Sequence, residues 1–253
     1  MTDLVATELL KIRTLRLPRL VLALTALLAG LVCFAAVSVA AGRGQGDITP
    51  ADVDLAFLVR APAEGVWFLA ILVAVTASAG DWQHKTVRAT YLAEPRRSRV
   101  VAAKLAASAV FGLAVAAVST VTSLVLGGLL LRAEGLPVAL ADGATWRAVG
   151  AVALLTALWA VVATGLGTLL GNTTAAIVAL LVWRFVGEGV VPVVANQPEL
   201  PRWLPSGAAQ AVLQGGSGRS DLLTPLAGGG MLAAYAGVVV VLGVLVLLRR
   251  EAP

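Results

Sequence analysis

Two ionisable residues stand inside an apolar stretch of the sequence, Arg184 and Glu188 in LVWRFVGEGVV. Residues four apart on a helix share one face, so this pair can form an ion pair. A lone charge at mid-membrane costs from about 3 to more than 10 kcal/mol, so such residues face protein, water or a partner. Two interpretations stay open: a polar point on a transport path or subunit interface, or a structural ion pair.

A second polar group is the charged run over residues 81–104, DWQHKTVRATYLAEPRRSRVVAAK. It contains six of the nineteen Lys and Arg residues, and its only acids are Asp81 and Glu94. Because long apolar runs flank it, the pattern predicts a basic loop in water between two membrane spans. Topology signalling together with contact to anionic lipid is the alternative explanation for so many cations.

Residues for enzyme chemistry are missing from the sequence. It contains no GxxxxGK[ST] phosphate loop and no Gly–Lys pair, so it offers no ATP site of that kind. The one histidine, His84, and the one cysteine, Cys33, exclude His-based and Cys-based metal clusters. The carboxylates are scattered over loops. We therefore expect no catalytic residues, metal site, cofactor or nucleic-acid partner in this chain, and no enzyme activity of its own.

The composition indicates an integral membrane protein with an all-α fold. Hydrophobic residues make up 59% of the 253 and charged residues 13%, against about half and about a quarter in soluble domains. Apolar blocks of about 20 residues or more can cross a bilayer as helices. We predict a single transmembrane domain over 1–253 with an outer loop at 196–225 and six spans, at about 20–41, 62–80, 105–131, 148–170, 173–195 and 226–248. The second span is short unless 61–64 or part of 53–59 joins it.

Local signals predict further elements. Residues 2–17 form an amphipathic interfacial helix, although Glu8 interrupts its apolar stripe; a solvated start is the alternative. Thr49-Pro50-Ala51-Asp52 is typical of a capped helix start, and Asn172 is placed to cap the fifth span. Residues 208–213 predict a short helix at the membrane surface.

The distribution of charge predicts the orientation. With both termini on one side, that side carries 12 cations and 5 acids, and the other carries 6 cations and 8 acids. Because Lys and Arg accumulate in cytoplasmic segments, we expect both termini and the 81–104 loop in the cytoplasm. Arg outnumbers Lys sixteen to three, a bias typical of GC-rich bacterial genomes, so we expect a multi-pass protein of a bacterial cytoplasmic membrane.

The basic run resembles the cytoplasmic loop of type-2 ABC transporter permeases (ABC-2 type). In that family an acidic residue ends the second span, a small, Thr and Arg cluster follows, then Pro with basic residues, and a Lys opens the third span. The matching segments here are DWQHKTVR from Asp81, Pro95-Arg96-Arg97, Lys104, Glu8-Leu-Leu-Lys11 and Trp203-Leu-Pro205. The sequence departs from the pattern at Asp81, where Glu is commoner, and at Lys85, where Gly is usual.

The resemblance implies the membrane-spanning half of an ATP-driven exporter. Two six-span subunits, identical or different, would pair above two separate cytoplasmic ABC ATPase subunits that hydrolyse ATP. The residues implied to couple to the ATPase are Asp81, His84, Thr86, Arg88, Glu94, Pro95, Arg96, Arg97 and Lys104. The second and fifth spans would line the pathway, which places Arg184 and Glu188 facing it. A self-sufficient secondary transporter using this pair and a non-transporting scaffold or sensor subunit remain alternatives.

Overall fold

The computed structural model describes residues 2–43, 49–83, 96–194, 196–197, 199–215 and 222–249, and these residues form helices and no β-strand. The helices are α1 (Thr2–Thr14), α2 (Arg16–Ala40), α3 (Leu55–Arg60), α4 (Ala63–Gln83), α5 (Arg97–Thr122), α6 (Gly128–Ala133), α7 (Gly143–Leu170), α8 (Thr173–Val182), α9 (Val191–Val194), α10 (Leu200–Trp203), α11 (Pro205–Gln214) and α12 (Pro225–Arg249). A 3₁₀ turn covers Pro50–Asp52, and π-helical turns cover Ser123–Gly127 and Trp183–Gly187.

Six stretches among the described residues are helical, long and apolar enough to cross a membrane, which confirms the prediction of an all-helical chain with six such helices. They are Arg16–Ala40, Leu55–Gln83, Ser98–Ala133, Gly143–Leu170, Thr173–Val194 and Pro225–Val246. The sidedness of the termini stays a prediction.

Two of the spans start well before the predicted positions. The second begins at Leu55, where the Asp54 carboxylate accepts a 2.6 Å hydrogen bond from the Phe57 amide and caps α3. Pro62 cannot donate a backbone hydrogen bond, and the span is interrupted there between α3 and α4. The third span begins with α5 at Arg97, so its first two turns contain residues that were expected in the loop.

Helix α7 lies at the centre and packs on α4, α5 and α12. Leu155, Val152 and Ala160 on α7 are completely buried, and small residues allow its neighbours to come close. At α7's C-terminus Gly171 adopts a left-handed φ of 64°, and the Asn172 side chain accepts a 3.0 Å bond from the Ala175 amide. The predicted Asn172 cap is confirmed, and the turn sends α8 back antiparallel to α7.

The short helix predicted over 208–213 exists as α11, and its apolar face is buried inside the bundle. Ala208, Ala211 and Leu213 are buried, and α11 packs against α12. The predicted helix therefore exists and packs within the bundle, and its position at the membrane surface stays a prediction. Its small side chains permit close contact with Gly228 of α12, whose added Cβ would come within 2.5 Å of the Ala208 carbonyl oxygen.

The two ends of the bundle carry different elements. The α1 end comprises α1, the C-terminus of α4, the N-terminus of α5 and the turn at 171–172; a cavity at this end touches Glu8, Asp81 and Thr173 together. The α11 end comprises residues 49–54, 134–142, α10 and α11; there Arg43 pairs with Glu134. Each end holds one group of interacting charges that involves predicted site residues.

Candidate functional site

Four of the nine residues implied to couple to an ATPase are described, and they lie at the α1 end. Asp81 is in the last turn of α4, Arg96 directly precedes α5, Arg97 is the first residue of α5, and Lys104 lies two turns further along it. His84, Thr86, Arg88, Glu94 and Pro95 lie outside the described residues. Residues 81–83 and 97–104 of the predicted loop belong to α4 and α5.

Asp81 and Lys104 belong to a four-charge network with Glu8 and Lys11 of α1. The Lys104 ammonium contacts the Asp81 carboxylate and donates to Glu8 at 3.1 Å. Lys11 donates to Glu8 at 3.0 Å and to Asp81 at 3.4 Å. Two cations and two anions thus join three helices, and the Glu8, Asp81 and Lys104 side chains are only 10%, 16% and 11% exposed.

The charges of the network balance, because it contains two carboxylates and two ammonium groups and each carboxylate contacts both ammonium groups. Burial alone would lower the pKa of Lys11, but the nearby carboxylates of Asp81 and Glu8 outweigh that effect and hold it above its ordinary value. Lys11 therefore stays protonated at neutral pH. Removing any one member leaves a charge in a poorly solvated place without its full set of partners.

A cavity of about 560 Å³ lies next to this network. Its lining includes Lys11 and Leu15 from the α1 region, Gly80 from α4 and Thr174 from the first turn of α8. The start of the fifth span therefore lies close to α1 and to the end of the second span. Residues of α1, α4 and α8 therefore line one cavity beside the network.

Arg184 and Glu188 lie at the second site, where the fifth span changes from α- to π-helix. The π turn Trp183–Gly187 stacks residues five apart, so the Glu188 amide donates to the Trp183 carbonyl at 2.9 Å. The same spacing lets the Trp183 indole N–H donate to the Glu188 carboxylate at 3.1 Å. The i,i+4 partner Arg184 is 3.9 Å from that carboxylate.

Helix α11 supplies further partners for Glu188. The Ser206 amide donates to Glu188 Oε1 at 3.3 Å, and the Ser206 hydroxyl donates to Oε2. Pro205 precedes Ser206 in the first turn of α11, where backbone N–H groups have no partner inside the helix. With these donors the Glu188 side chain is 3% exposed, and its charge is compensated chiefly by hydrogen bonds.

Glu64 near the start of α4 completes the second site. Arg184 lies between the two carboxylates, 3.6 Å from Glu64 and 3.9 Å from Glu188. Gln210 of α11 donates to Glu64 at 2.8 Å. The structure thus brings together residues from α4, the fifth span and α11, and the Arg184 and Glu64 side chains remain about half exposed, at 47% and 48%.

Sequence reasoning missed Glu8, Lys11, Glu64 and Ser206 as members of these sites. Glu8 had left a signal, because a carboxylate on the apolar stripe of an interfacial helix needs a partner. Its partner Lys104 is 96 residues away in the sequence, beyond what helical spacing can reveal. Ser206 and Glu64 left no comparable signal, since both stand in segments that look like ordinary loop or span ends.

The four-charge network links α1, α4 and α5 by ion pairs, and the site around Arg184 presents charges of both signs beside a cavity lined mostly by apolar side chains. Neither geometry contains a cluster of His, Cys, Asp and Glu suited to a metal ion among the described residues. No family model matches the chain, and no curated protein matches it.

Proposed function

We propose that this chain is the membrane-spanning permease subunit of an ABC exporter. A separate cytoplasmic ATPase hydrolyses ATP and docks on the segment between α4 and α5, and a second permease subunit completes the membrane path. The chain itself contributes the helices that move and the surface that the substrate meets.

The four-charge network is the observation that carries the proposal. It lies at the base of the segment on which the ATPase would press, since Gln83 ends α4 and Arg96 precedes α5. Charged pairs at 3.0–3.4 Å in a poorly solvated place resist separation, because separated charges would have to be solvated again. A push on that segment therefore moves α1, α4 and α5 as one unit.

The fifth span supports the pairing with a second permease subunit. Only 6% of its most apolar window is buried within the single chain, whereas 61% of that of the second span is buried. Its apolar side chains Phe185, Val193 and Val194 are 68%, 77% and 78% exposed. A second subunit packed on this span would cover them and would enclose the site around Arg184.

A self-sufficient secondary transporter is the second candidate, favoured by the buried carboxylate of Glu188. Carboxylates inside spans are the groups on which ion-coupled transporters depend. Against this, Glu188 accepts bonds from Trp183 and from both donors of Ser206. Such a carboxylate is held in place by its donors, which suits a structural role better than cycles of binding and release.

Co-purification tests the proposal. The chain is expressed with a phosphate-loop ATPase encoded by a neighbouring reading frame, and we expect the two to purify together from membranes. The double variant Arg88→Ala/Glu94→Ala should lose the ATPase, whereas the matched pair Arg43→Ala/Glu134→Ala at the α11 end should retain it. Retention of the ATPase by the first variant at unchanged yield would show that the docking assignment is wrong.

A further inference from the structure

A cavity of about 490 Å³ opens between α4, α7 and the fifth span, directly beside Glu64, Arg184 and Glu188. This volume lies within the range of about 300–1,000 Å³ that accommodates drug-sized ligands. None of the four residues of the charge network at the α1 end lines this cavity. Its chemistry therefore has to be explained separately.

Aromatic rings form much of the wall. Trp67 and Trp159 lie with their ring centroids 6.0 Å apart at an interplanar angle of 36°, and Phe68, Trp183 and Phe185 also line the cavity. Aromatic faces carry negative electrostatic potential and attract organic cations, whose apolar groups they also pack against. Trp159 is 8% exposed, and its indole N–H has no hydrogen-bond partner among the described residues.

The charges at the rim favour a cation over an anion. Glu64 and Glu188 contribute two negative charges and Arg184 one positive charge, which leaves one net negative charge. Glu188 is saturated by Trp183 and Ser206, whereas Glu64 accepts one described hydrogen bond, from Gln210, and stays half exposed. Glu64 is therefore the carboxylate that can receive a ligand's charge.

Arg184 occupies the place that such a ligand would take. Its distances of 3.6 and 3.9 Å to the two carboxylates exceed hydrogen-bond length, and its side chain is 47% exposed. A guanidinium held this loosely can swing away at low cost. A cationic ligand would compete with this guanidinium for Glu64.

We propose that this cavity binds an amphipathic organic cation. Its apolar part lies among Trp67, Trp159 and Phe185, and its charge faces Glu64 after Arg184 has moved aside. That the ligand is also the exported cargo rests on the proposed function; the binding itself does not. A lipid chain in the cavity and an amphipathic anion held by Arg184 are the competing occupants.

Two probes of nearly equal size and opposite charge test the proposal. The purified chain, without any ATPase, is placed in phosphatidylcholine nanodiscs and titrated with tetraphenylphosphonium or tetraphenylborate. Tryptophan fluorescence is followed, and empty nanodiscs correct for partition into lipid. We expect saturable binding of the phosphonium and at least about tenfold weaker binding of the borate. Equal binding of both, or quenching that never saturates, would mean apolar or lipid occupancy and would overturn the proposal.

Two variants that each remove one charge, one negative and one positive, test the role of the rim charges. Glu64→Gln should weaken phosphonium binding about threefold to tenfold, and Arg184→Gln should tighten it by a similar factor, because the competing cation is gone. The matched change Glu134→Gln, at an ion pair with Arg43, should leave the affinity unchanged. The reverse signs would identify an anion site and contradict the proposal.

A further variant covers the case in which Glu64→Gln fails to fold. Phe185 is 68% exposed, so Phe185→Ala should fold normally and weaken phosphonium binding by removing one ring of the wall. Unchanged binding by Phe185→Ala would also overturn the proposal. Because no ATPase is present, loss of ATPase co-purification and loss of phosphonium binding can be told apart.

Discussion

Lys104 links three helices at the α1 end of the bundle, because its ammonium contacts Glu8 of α1 and Asp81 of α4. Hydropathy alone places this lysine at the border of a span. The structure shows α5 continuing past it toward Arg97, since Glu8 and Asp81 neutralise its charge. A charged residue therefore need not end an apolar helix when its partners come from distant parts of the chain.

Substitution of Lys104 should destabilise the protein. Lys104→Gln leaves Glu8 and Asp81 facing each other with only the half-exposed Lys11 to compensate them. We expect a loss of about 1–3 kcal/mol in the free energy of unfolding, measured by denaturant titration in detergent with circular dichroism.

Two controls define this result. Asp81→Asn combined with Lys104→Gln should recover part of the loss, because the double variant removes one of the two repelling carboxylates. Glu134→Gln, which breaks the exposed pair with Arg43, should leave the unfolding midpoint unchanged. Equal behaviour of Lys104→Gln and Glu134→Gln would contradict a special role for the network.

Helix α11 connects the second site to the rest of the bundle through its packing on α12. Gly228 allows this approach, and Tyr235 of α12 donates to the Trp203 carbonyl at 3.0 Å just before α11. Since Ser206 in the first turn of α11 holds Glu188, the position of that carboxylate depends on the contact between the two helices.

Two glycines of α12 provide a matched test of this packing. A Cβ at Gly228 would lie 2.5 Å from the Ala208 carbonyl oxygen, whereas a Cβ at Gly230 meets nothing within 4 Å. Gly228→Ala should force α11 away and lower the thermal unfolding temperature in detergent, and Gly230→Ala should leave it unchanged or slightly higher. A similar effect of both substitutions would show that the close approach is unimportant.

The elements differ in how far the sequence could define them. Long apolar runs and a capping residue are local signals. The six long apolar helices and the Asn172 cap were therefore predicted correctly. The start of the second span at Leu55 depends on a cap by Asp54 that hydropathy does not weigh. The burial of α11 could not be predicted, because it depends on the shape of α12 rather than on the residues of α11 alone. The second site could be predicted only in part: helical spacing pairs Arg184 with Glu188, but Glu64 and Ser206 come from two other segments.

The whole molecule has an asymmetric distribution of charge. Lys11, Arg96, Arg99 and Lys104 are among the cations of the α1 end, while Asp52, Asp54 and Glu134 are among the acids of the α11 end. This arrangement agrees with the count of 12 cations against 6 derived from the sequence. It favours a cytoplasmic position for the α1 end, where an ATPase could reach it.

Cysteine labelling in intact bacterial cells tests that orientation. Cys33→Ala removes the only native cysteine, which is completely buried, and single cysteines then replace the exposed residues Gln83 at the α1 end and Ala139 at the α11 end. Because the excess of cations keeps the α1 end inside, a membrane-impermeant maleimide should label Ala139→Cys in intact cells and Gln83→Cys only after permeabilisation. Labelling of Gln83→Cys in intact cells would place the α1 end outside. In that orientation no cytoplasmic ATPase could reach the segment between α4 and α5, and the exporter proposal would fail with it.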